Sequence, residues 1–532
     1  MSLPPDSTAS LSPPASRLGW LRPSHRHTAV SATLLLSGFA LLSRVIGLIR
    51  DKYIAYTFGA GSGTAAYTVA FQLPDLINYL LIGGAASISF VTILSRYREA
   101  NQQEEGDEAL SVILNTMLLV LGAAILLAEI FAPVYTHFFF ASDSAEAALC
   151  THMTRILLPG QLFFFAGGVL AAVALVRKQF TYQAISPLVY TVGIIFGGVL
   201  FSRKLGISSL AWGALAGAFA GPFLVNGYAA YRAGVRYIAK LDFANPGLRA
   251  WVRMSLPLML GVTVVFMDNI ILTWFAKHST GDISRLRFAK NLFTAPMAII
   301  GQAAGAASLP FFASLYSRKL FDDYASAVNR AVSRIISVAL LLSAGMFALA
   351  RPAVDLIYRG GSFTRIDSHL TALYFATFTV SLALWASQAI YARAFFAAGE
   401  TLSPMRAGTI VTALSIPMYW LLHQRFGVMG LAWASNLAIL VHTLTLAILL
   451  HRRRMVSLAG LNRPELAKSL LAALASFAGV TLLLHVLPHA ASVTYTGDLI
   501  ALAVGGIVWA GLNYGVLTLT GATLPQQILR RR

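Results

Sequence analysis

The chain alternates long apolar stretches with short polar segments over most of its length. A stretch of roughly 20 apolar residues can cross the hydrocarbon core of a bilayer as an α-helix. The pattern predicts about fourteen such spans, joined by loops too short to form a domain outside the membrane. The predicted spans lie near residues 30–51, 64–94, 109–139, 149–175, 183–201, 207–230, 255–276, 284–316, 331–350, 367–396, 404–422, 427–450, 466–487 and 496–522.

Composition leads to the same fold class. Hydrophobic residues make up 57% of the 532 positions and charged residues 11%, less than half of the roughly 25% that is usual in soluble domains. The mean hydropathy of +0.69 fits a surface that faces lipid. The single cysteine, Cys150, excludes a disulfide framework and a cysteine-rich metal site. We therefore expect an all-α polytopic membrane protein without a cofactor.

The positions of the basic residues predict the orientation. The chain carries 40 Lys and Arg against 21 Asp and Glu, a net charge of +19. With the N-terminus inside the cell, about 25 basic residues fall in the termini and even-numbered loops and about 10 in the odd-numbered loops, which predicts that both termini are cytoplasmic. A basic face of this kind is typical of contact with lipid headgroups. Because no aromatic groove accompanies it, we expect membrane lipids and no nucleic acid as partners.

A short internal sequence repeat, here called the internal echo, suggests how the spans are grouped. Residues 84–87 (GAAS) recur as residues 305–308 (GAAS), six predicted spans later. An even number of spans preserves orientation, so the echo predicts a parallel repeat of two six-helix lobes plus two C-terminal helices. Small-residue runs that merely let helices pack closely are the alternative explanation. The predicted units are a disordered cytoplasmic tail at 1–28, an N-lobe at 29–240, a C-lobe at 241–455, and helices 13 and 14 with a basic tail at 456–532.

Ionisable residues inside the first span are the strongest functional signal, because each costs about 2.5–3.5 kcal/mol at the bilayer centre. Arg44, Gly47 and Asp51 lie on one helical face, and Arg50 adjoins Asp51. Arg50 and Asp51 are close enough to the predicted outer end to reach water, which is the structural alternative. Arg44 lies deeper, so we predict that it faces an internal cavity.

The second span carries a polar stripe at Gln72, Asp75 and Tyr79, with Asn78 beside it. An unpaired carboxylate is costly inside a membrane. We therefore predict that Asp75 balances an arginine of the first span, although a direct contact with substrate is the alternative.

The eighth span has a cationic face formed by Arg287, Lys290 and Asn291. Together with the first-span arginines, these residues predict a pocket for a phosphate or diphosphate, which Arg binds through paired hydrogen bonds and Lys as a point charge. A position at the outer interface is the alternative for Arg287. Asp268, inside the seventh span, is a weaker candidate for a cation or proton site, and a satisfied structural hydrogen bond explains it equally well.

Several segments resemble the MurJ/MviN family of lipid II flippases in the multidrug/oligosaccharidyl-lipid/polysaccharide exporter superfamily. The resemblance rests on residues 42–51 (LSRVIGLIRD), 58–61 (FGAG) and 69–76 (VAFQLPDL), and it continues nearly to the end of the chain through residues 289–310, 358–364 (YRGGSFT) and 395–401 (FFAAGET).

This resemblance implies two lobes around a cationic central cavity, with the last two helices forming a groove for a polyprenyl tail. It implies movement of lipid II from the inner to the outer leaflet of the bacterial cytoplasmic membrane, and possible contact with other cell-wall synthesis proteins. Arg44, Arg50 and Asp51 match functional residues of the family. Asn78 replaces one of a pair of arginines, and Lys290 and Asn291 replace Asp-Arg. These departures leave open a flippase for another polyprenyl-diphosphate glycan.

Two other classes are opposed by the sequence. A membrane-embedded glycosyltransferase needs a positioned carboxylate and usually a large outer loop, and the loops here are short. A drug antiporter for cationic drugs would have a cavity of acids and aromatics instead of Arg and Lys.

For a transporter, the outer ends of the first two and the seventh and eighth spans must open and close. We predict that this gate passes near Ser62 and Ser279, beside small residues that let backbones meet.

Overall fold

A computed structural model describes residues 29–81, 90, 93–94, 96–97, 100–140, 144–176, 180–259, 264–486 and 494–529. The described residues are almost entirely helical, with one isolated bridge between Gly360 and Phe363. The prediction of an all-α membrane protein is confirmed. The predicted tail at 1–28 and the residues 84–87 of the internal echo lie outside the described residues.

The helices follow one another with short connections. They are α1 (Ala29–Phe58), α2 (Ser62–Leu81), α3 (Gln103–His137), α4 (Ala145–Leu157), α5 (Gly160–Val176), α6 (Thr181–Leu205), α7 (Ser208–Ala218), α8 (Asn226–Arg232), α9 (Pro246–Met259), α10 (Val264–Phe275), α11 (Thr280–Met297), α12 (Ala303–Ser317), α13 (Phe321–Ala348), α14 (Ala350–Tyr358), α15 (Arg365–Thr379), α16 (Leu382–Ala397), α17 (Leu402–Arg452), α18 (Arg463–Val486), α19 (Tyr495–Leu519) and α20 (Leu524–Leu529).

All fourteen predicted spans fall wholly or partly on these helices. Among the described residues, eight helical segments are long and apolar enough to cross a membrane, or nine if α15 and α16, which meet at 45°, form one span. The 51-residue α17 contains two predicted spans, which meet at a non-helical Gly427. In α11 the charged residues Asp282, Arg285 and Lys290 interrupt the apolar pattern. These charged residues within the bundle indicate that α11 lines a cavity.

The connection at residues 233–245 is held along α3. The backbone N–H groups of Arg236 and Ile238 donate to side chains of α3, and Lys240 Nζ donates to Glu108 at 2.6 Å. This hydrogen bond raises the pKa of Lys240. Trp251 of α9 is buried against Phe165 in the same core cluster. Thus α9, assigned by the sequence to the C-lobe, packs against helices of the predicted N-lobe, and the boundary at residue 240 stays a prediction.

Candidate substrate cavity

Three adjoining cavities lie between α1, α2, α6, α10 and α11. The wide cavity, of about 640 Å³, is lined by the N-terminal part of α1 together with α6 and α11. The central cavity, of about 230 Å³, lies between α1, α2, α10 and α11 and shares Arg50 and Asn291 with the wide cavity. The side cavity, of about 390 Å³, shares Asp75 with the central cavity and extends towards α5 and α7. Shared walls make these cavities one polar region inside the bundle.

Four residues form an ionic cluster where the wide and central cavities meet, here called the cavity cluster: Arg50, Asp51, Arg287 and Asn291. Arg50 Nε and Nη2 both donate to Asp51 Oδ1, at 3.0 and 2.9 Å. Arg287 Nη2 lies 4.0 Å from the same oxygen, and Asn291 Nδ2 donates to Asp51 Oδ2 at 3.1 Å. The predicted proximity of the charged faces of the first and eighth spans is therefore present, with a buried carboxylate between them.

The cavity cluster retains hydrogen-bonding capacity. Arg287 Nη1 is buried and has no hydrogen-bond partner among the described residues, while the guanidinium lies 4.8 Å from the centre of the Tyr67 ring. Arg44 is exposed in the wide cavity and forms no ion pair with a described residue. The three guanidinium groups of Arg44, Arg50 and Arg287 outnumber the carboxylates of Asp51 and Asp75 in the wide and central cavities, and this excess of positive charge suits an anion.

Some polar residues of α2 hydrogen-bond to neighbouring helices, whereas Asp75 faces the cavities. Asp75 is exposed in the central and side cavities and forms no ion pair with a described residue. The expected direct pairing of Asp75 with a first-span arginine is thus not seen. Asn78 Nδ2 donates to Gln161 Oε1 at 3.2 Å, and Gln72 Nε2 donates to Thr273 at 2.7 Å. Only Asp75 in this stripe brings a charge to the cavities.

Lys290 belongs to a second ionic group, which we call the enclosed cluster: Lys290, Asp268, Ser435 and Tyr419. Lys290 Nζ donates to Asp268 Oδ2 at 2.5 Å and to Ser435 Oγ at 3.0 Å. Tyr419 Oη donates to the other oxygen of Asp268. The side chains of Lys290 and Asp268 are 6% and 1% exposed. Lys290 lines the central cavity together with Arg50 and Arg287, but its ammonium pairs with Asp268 and not with Asp51.

One end of the bundle is closed by contacts between α1, α2 and the loop at residues 360–363. Ser362 N donates to Tyr56 O at 2.8 Å, and Ser362 Oγ donates to Thr57 O at 3.1 Å. A Cβ atom on Gly361, whose φ is 54°, would lie 2.2 Å from Tyr56 O. Only glycine therefore permits this close approach. At the same end, Ser284 of α11 donates to Gly61 O at 3.2 Å, near the predicted gate.

The sequence did not single out two parts of this region. Gln183, Pro187 and Thr191 of α6 line the wide cavity opposite α1. Their spacing at i, i+4 and i+8 on one helical face was the available signal. The closing loop was visible as Gly360-Gly361 between two helices, which indicates a turn, but its contact with α1 is long-range and was not predictable from local pattern.

A bundle of long apolar helices around a cationic internal cavity is the architecture of a membrane transporter that binds its cargo between packed helices. Comparison with solved structures shows similar folds. The fold is similar to that of "Lipid II flippase MurJ, inward closed conformation", with a TM-score of 0.76 and 22% identity, over 91% of this chain and 99% of that one. An inward-facing multidrug resistance MATE family transporter of the MOP superfamily gives a TM-score of 0.64 at 14% identity, over 80% and 98%.

Sequence comparison is more specific. The model of the family described as "Lipid II flippase MurJ" matches residues 54–500. The "Lipid II flippase MurJ" of Burkholderia cenocepacia is 27% identical over 513 residues, which are 92% of this chain and 97% of that protein. The "Probable lipid II flippase MurJ" of Buchnera aphidicola subsp. Acyrthosiphon pisum is 26% identical over 494 residues, 90% and 94% of the two chains. The chain belongs to the MurJ family, which consists of multi-pass membrane transporters and not of enzymes.

Proposed function

We propose that this protein translocates lipid II, the lipid-linked peptidoglycan precursor, from the inner to the outer leaflet of the bacterial cytoplasmic membrane. Family membership supports the class of cargo, and the cavity supports the chemistry. The observation that carries the proposal is the unpartnered Arg287 Nη1 beside Arg50 in a buried cavity. A guanidinium N–H that lacks a protein partner is suited to hydrogen-bond a phosphate oxygen.

The diphosphate of the cargo binds between Arg50 and Arg287, and Arg44 adds positive charge along the wide cavity. Asp51 holds the two guanidinium groups in place through Oδ1, while Asn291 donates to Oδ2. With Arg44 included, three guanidinium groups outnumber the carboxylates of Asp51 and Asp75, so the cavities keep a net attraction for an anion. Asn78 lies further along, in the side cavity, where it contacts the sugar or peptide part of the cargo, and Asp75 moderates the positive charge around the diphosphate without contacting the cargo.

Movement of the cargo follows alternating access. The predicted orientation, with both termini in the cytoplasm, makes the end closed by Ser362 the outer end and directs the wide cavity towards the cytoplasm. The lobes proposed at 29–240 and 241–455 separate at the outer end after cargo is bound, and the helices of 456–532 accommodate the polyprenyl tail. Opening requires the loss of the hydrogen bonds from Ser362 and Ser284 to α1 and to the α1–α2 turn.

A second candidate cargo is another polyprenyl-diphosphate glycan. Asn78 is neutral and hydrogen-bonds Gln161 in the side cavity, at a position where the family resemblance implies an arginine. The side cavity therefore offers amide groups in place of positive charge. Amides suit the hydroxyl groups of a sugar, so the glycan, and not the diphosphate, is the part of the cargo on which the two candidates differ.

Complementation tests the proposal. The resident lipid II flippase of a tractable bacterium is depleted, and growth and lipid II in the outer leaflet are measured with this chain expressed. The wild-type chain and Arg203→Ala, a change at an exposed arginine at the end of α6, should restore both. Arg287→Ala should restore neither, although it reaches the membrane. Wild-type protein that is inserted but leaves lipid II in the inner leaflet would exclude lipid II as cargo.

A further inference from the structure

The enclosed cluster is a buried ionic site that the proposed translocation step does not use. From sequence, Asp268 was a candidate cation site. In the structure a cation is already present, because the ammonium of Lys290 lies against the Asp268 carboxylate at 2.5 Å. The two residues come from α11 and α10, and Tyr419 and Ser435 come from the two parts of α17 on either side of Gly427.

The polar groups of this cluster are engaged mainly with one another. Two of the three N–H groups of Lys290 point to Asp268 and Ser435, and the ammonium lies 4.4 Å from the centre of the Phe378 ring and 5.0 Å from that of Trp385. Aromatic faces attract a cation, most strongly where water is excluded. Asp268 accepts hydrogen bonds on both oxygens. The ammonium is therefore held by a carboxylate, a hydroxyl and two aromatic rings, in contrast to Arg287 Nη1, which has no hydrogen-bond partner among the described residues.

The groups around the ammonium are those that would bind a small monovalent cation. Asp268 Oδ2 and Ser435 Oγ contact the ammonium directly, and Tyr419 donates to Asp268 Oδ1. Hard cations prefer oxygen ligands of this kind. One negative charge balances one positive charge. The described residues contain no group of three His, Cys, Asp or Glu side chains that could hold a metal ion, so the charge of a divalent ion would not be balanced here.

We propose that Lys290 is a tethered cation: its ammonium occupies an alkali-cation site formed by Asp268 and Ser435, with Tyr419 holding the other oxygen of Asp268. The tethered ammonium makes this part of the transporter independent of a dissolved cation. Lys290 thereby acts as a positioning residue that fixes α11 against α10 and α17. The neighbouring Arg287 on the same helix then faces the cavity. The part of this inference that concerns transport rests on the proposed function, whereas the binding site itself does not.

The test measures thermal unfolding of the full-length protein in detergent, with NaCl exchanged for choline chloride at constant ionic strength. Lys290→Ala removes the ammonium and leaves room for a cation beside Asp268. We expect a lower Tm in choline chloride and a saturable rise of a few degrees with Na⁺, because a ligand that binds only the folded state stabilises it. The wild type should show no such rise, and Lys290→Ala/Asp268→Asn should lose it.

The quantity compared is the Na⁺-dependent Tm shift of the variant minus that of the wild type, so Na⁺ effects elsewhere cancel. Lys277→Ala, which removes a lysine that lies over Trp274, is the matched control and should behave as wild type. If Lys290→Ala does not fold, Lys290→Gln serves, because it keeps a donor and removes the charge. A zero difference in the variant that folds overturns the proposal, as does a wild-type Na⁺ shift that Asp268→Asn abolishes.

A transport arm separates this inference from the proposed function. Translocation of lipid II in vesicles should be independent of Na⁺ for the wild type and should become Na⁺-dependent in Lys290→Ala. If the wild type moves no lipid II while the Tm pattern holds, the cargo assignment fails and the cation site stands. If the Tm pattern is absent while the wild type moves lipid II, only the tethered cation is overturned.

Discussion

Two ionic clusters share α11 and differ in what they can do. Arg287 and Lys290 are three residues apart, so their side chains differ by about 60° around the helix. Both residues line the central cavity, but that rotation places the guanidinium of Arg287 beside Asp51 and the ammonium of Lys290, which is 6% exposed, beside Asp268. The face that the sequence defined on α11 thus contains a residue proposed to bind cargo and a residue of a structural ion pair. Only the packing of the neighbouring helices distinguishes the two.

The clusters also differ in charge balance. In the cavity cluster, Arg50 and Arg287 face one carboxylate, and Arg287 Nη1 has no described partner. In the enclosed cluster one ammonium faces one carboxylate, and hydroxyl groups complete the hydrogen bonds. Excess charge in a solvated cavity attracts an anion, whereas a balanced and enclosed pair is inert towards one. The comparison predicts opposite responses to mutation, which the following experiments measure from the largest expected effect to the smallest.

The largest effect should come from locking the cavity at its closed end. Thr57→Cys with Ser362→Cys places two cysteines at adjoining positions, since Ser362 Oγ donates to Thr57 O at 3.1 Å. Oxidation should abolish transport, and reduction should restore it, measured with Cys150→Ser to remove background. Ser62→Cys with Ser279→Cys tests the gate predicted from sequence in the same way.

The two single-cysteine variants control for the substitutions and should transport normally under oxidation. Crosslinking that leaves transport intact would show that α1 and the loop at 360–363 do not separate in the cycle. The cavity cluster would then have to release cargo by a route other than this end, and the rocking mechanism would be abandoned.

The next effect concerns the arginines of the cavity cluster. A hydrogen bond to a charged group contributes about 1.5–3 kcal/mol, so Arg50→Ala or Arg287→Ala should lower transport by roughly 10- to 150-fold. Arg44→Ala should also lower it, and Arg→Lys at any of these positions should restore only part of the activity because Lys lacks the paired donors of Arg. Transport per inserted molecule is the measurement. Full activity of Arg44→Ala and Arg287→Ala would show that these arginines do not bind the diphosphate of the cargo.

A matched pair of carboxylate substitutions compares the clusters directly. Asp268→Asn leaves the buried Lys290 without a counter-charge, and breaking such a pair costs about 3–5 kcal/mol. Asp51→Asn should destabilise less, because Arg50 and Arg287 reach the cavity, but it should impair transport more per folded molecule. Thermal stability and transport are measured for both variants. Equal stability losses would mean that the cavity cluster is as enclosed as the other one.

The sequence predicted the helices but only part of the difference between the cavity cluster and the enclosed cluster. The positions of Arg44, Gly47 and Asp51 on one face of α1, with Arg50 beside Asp51, indicated a cavity, and Arg287 of α11 lies 4.0 Å from Asp51. Asp268 and Lys290 were each singled out, but as separate sites. Their pairing depends on how α10, α11 and α17 pack, and helical periodicity defines a face of one helix without defining the helix that it meets.

Asp75 should give the smallest effect. It lines the central and side cavities without a described ion-pair partner, so Asp75→Asn breaks no ion pair among the described residues. Removal of a negative charge near Arg50 and Arg287 should leave the apparent affinity for cargo within about tenfold of the wild type, which is less than about 1.4 kcal/mol. Any loss should appear in the turnover rate, since Asp75 limits how tightly an excess of positive charge retains the diphosphate. Affinity and turnover are measured separately with Asn78→Ala as the uncharged neighbour control. A loss of affinity much greater than tenfold in Asp75→Asn alone would show that the carboxylate itself contacts the cargo.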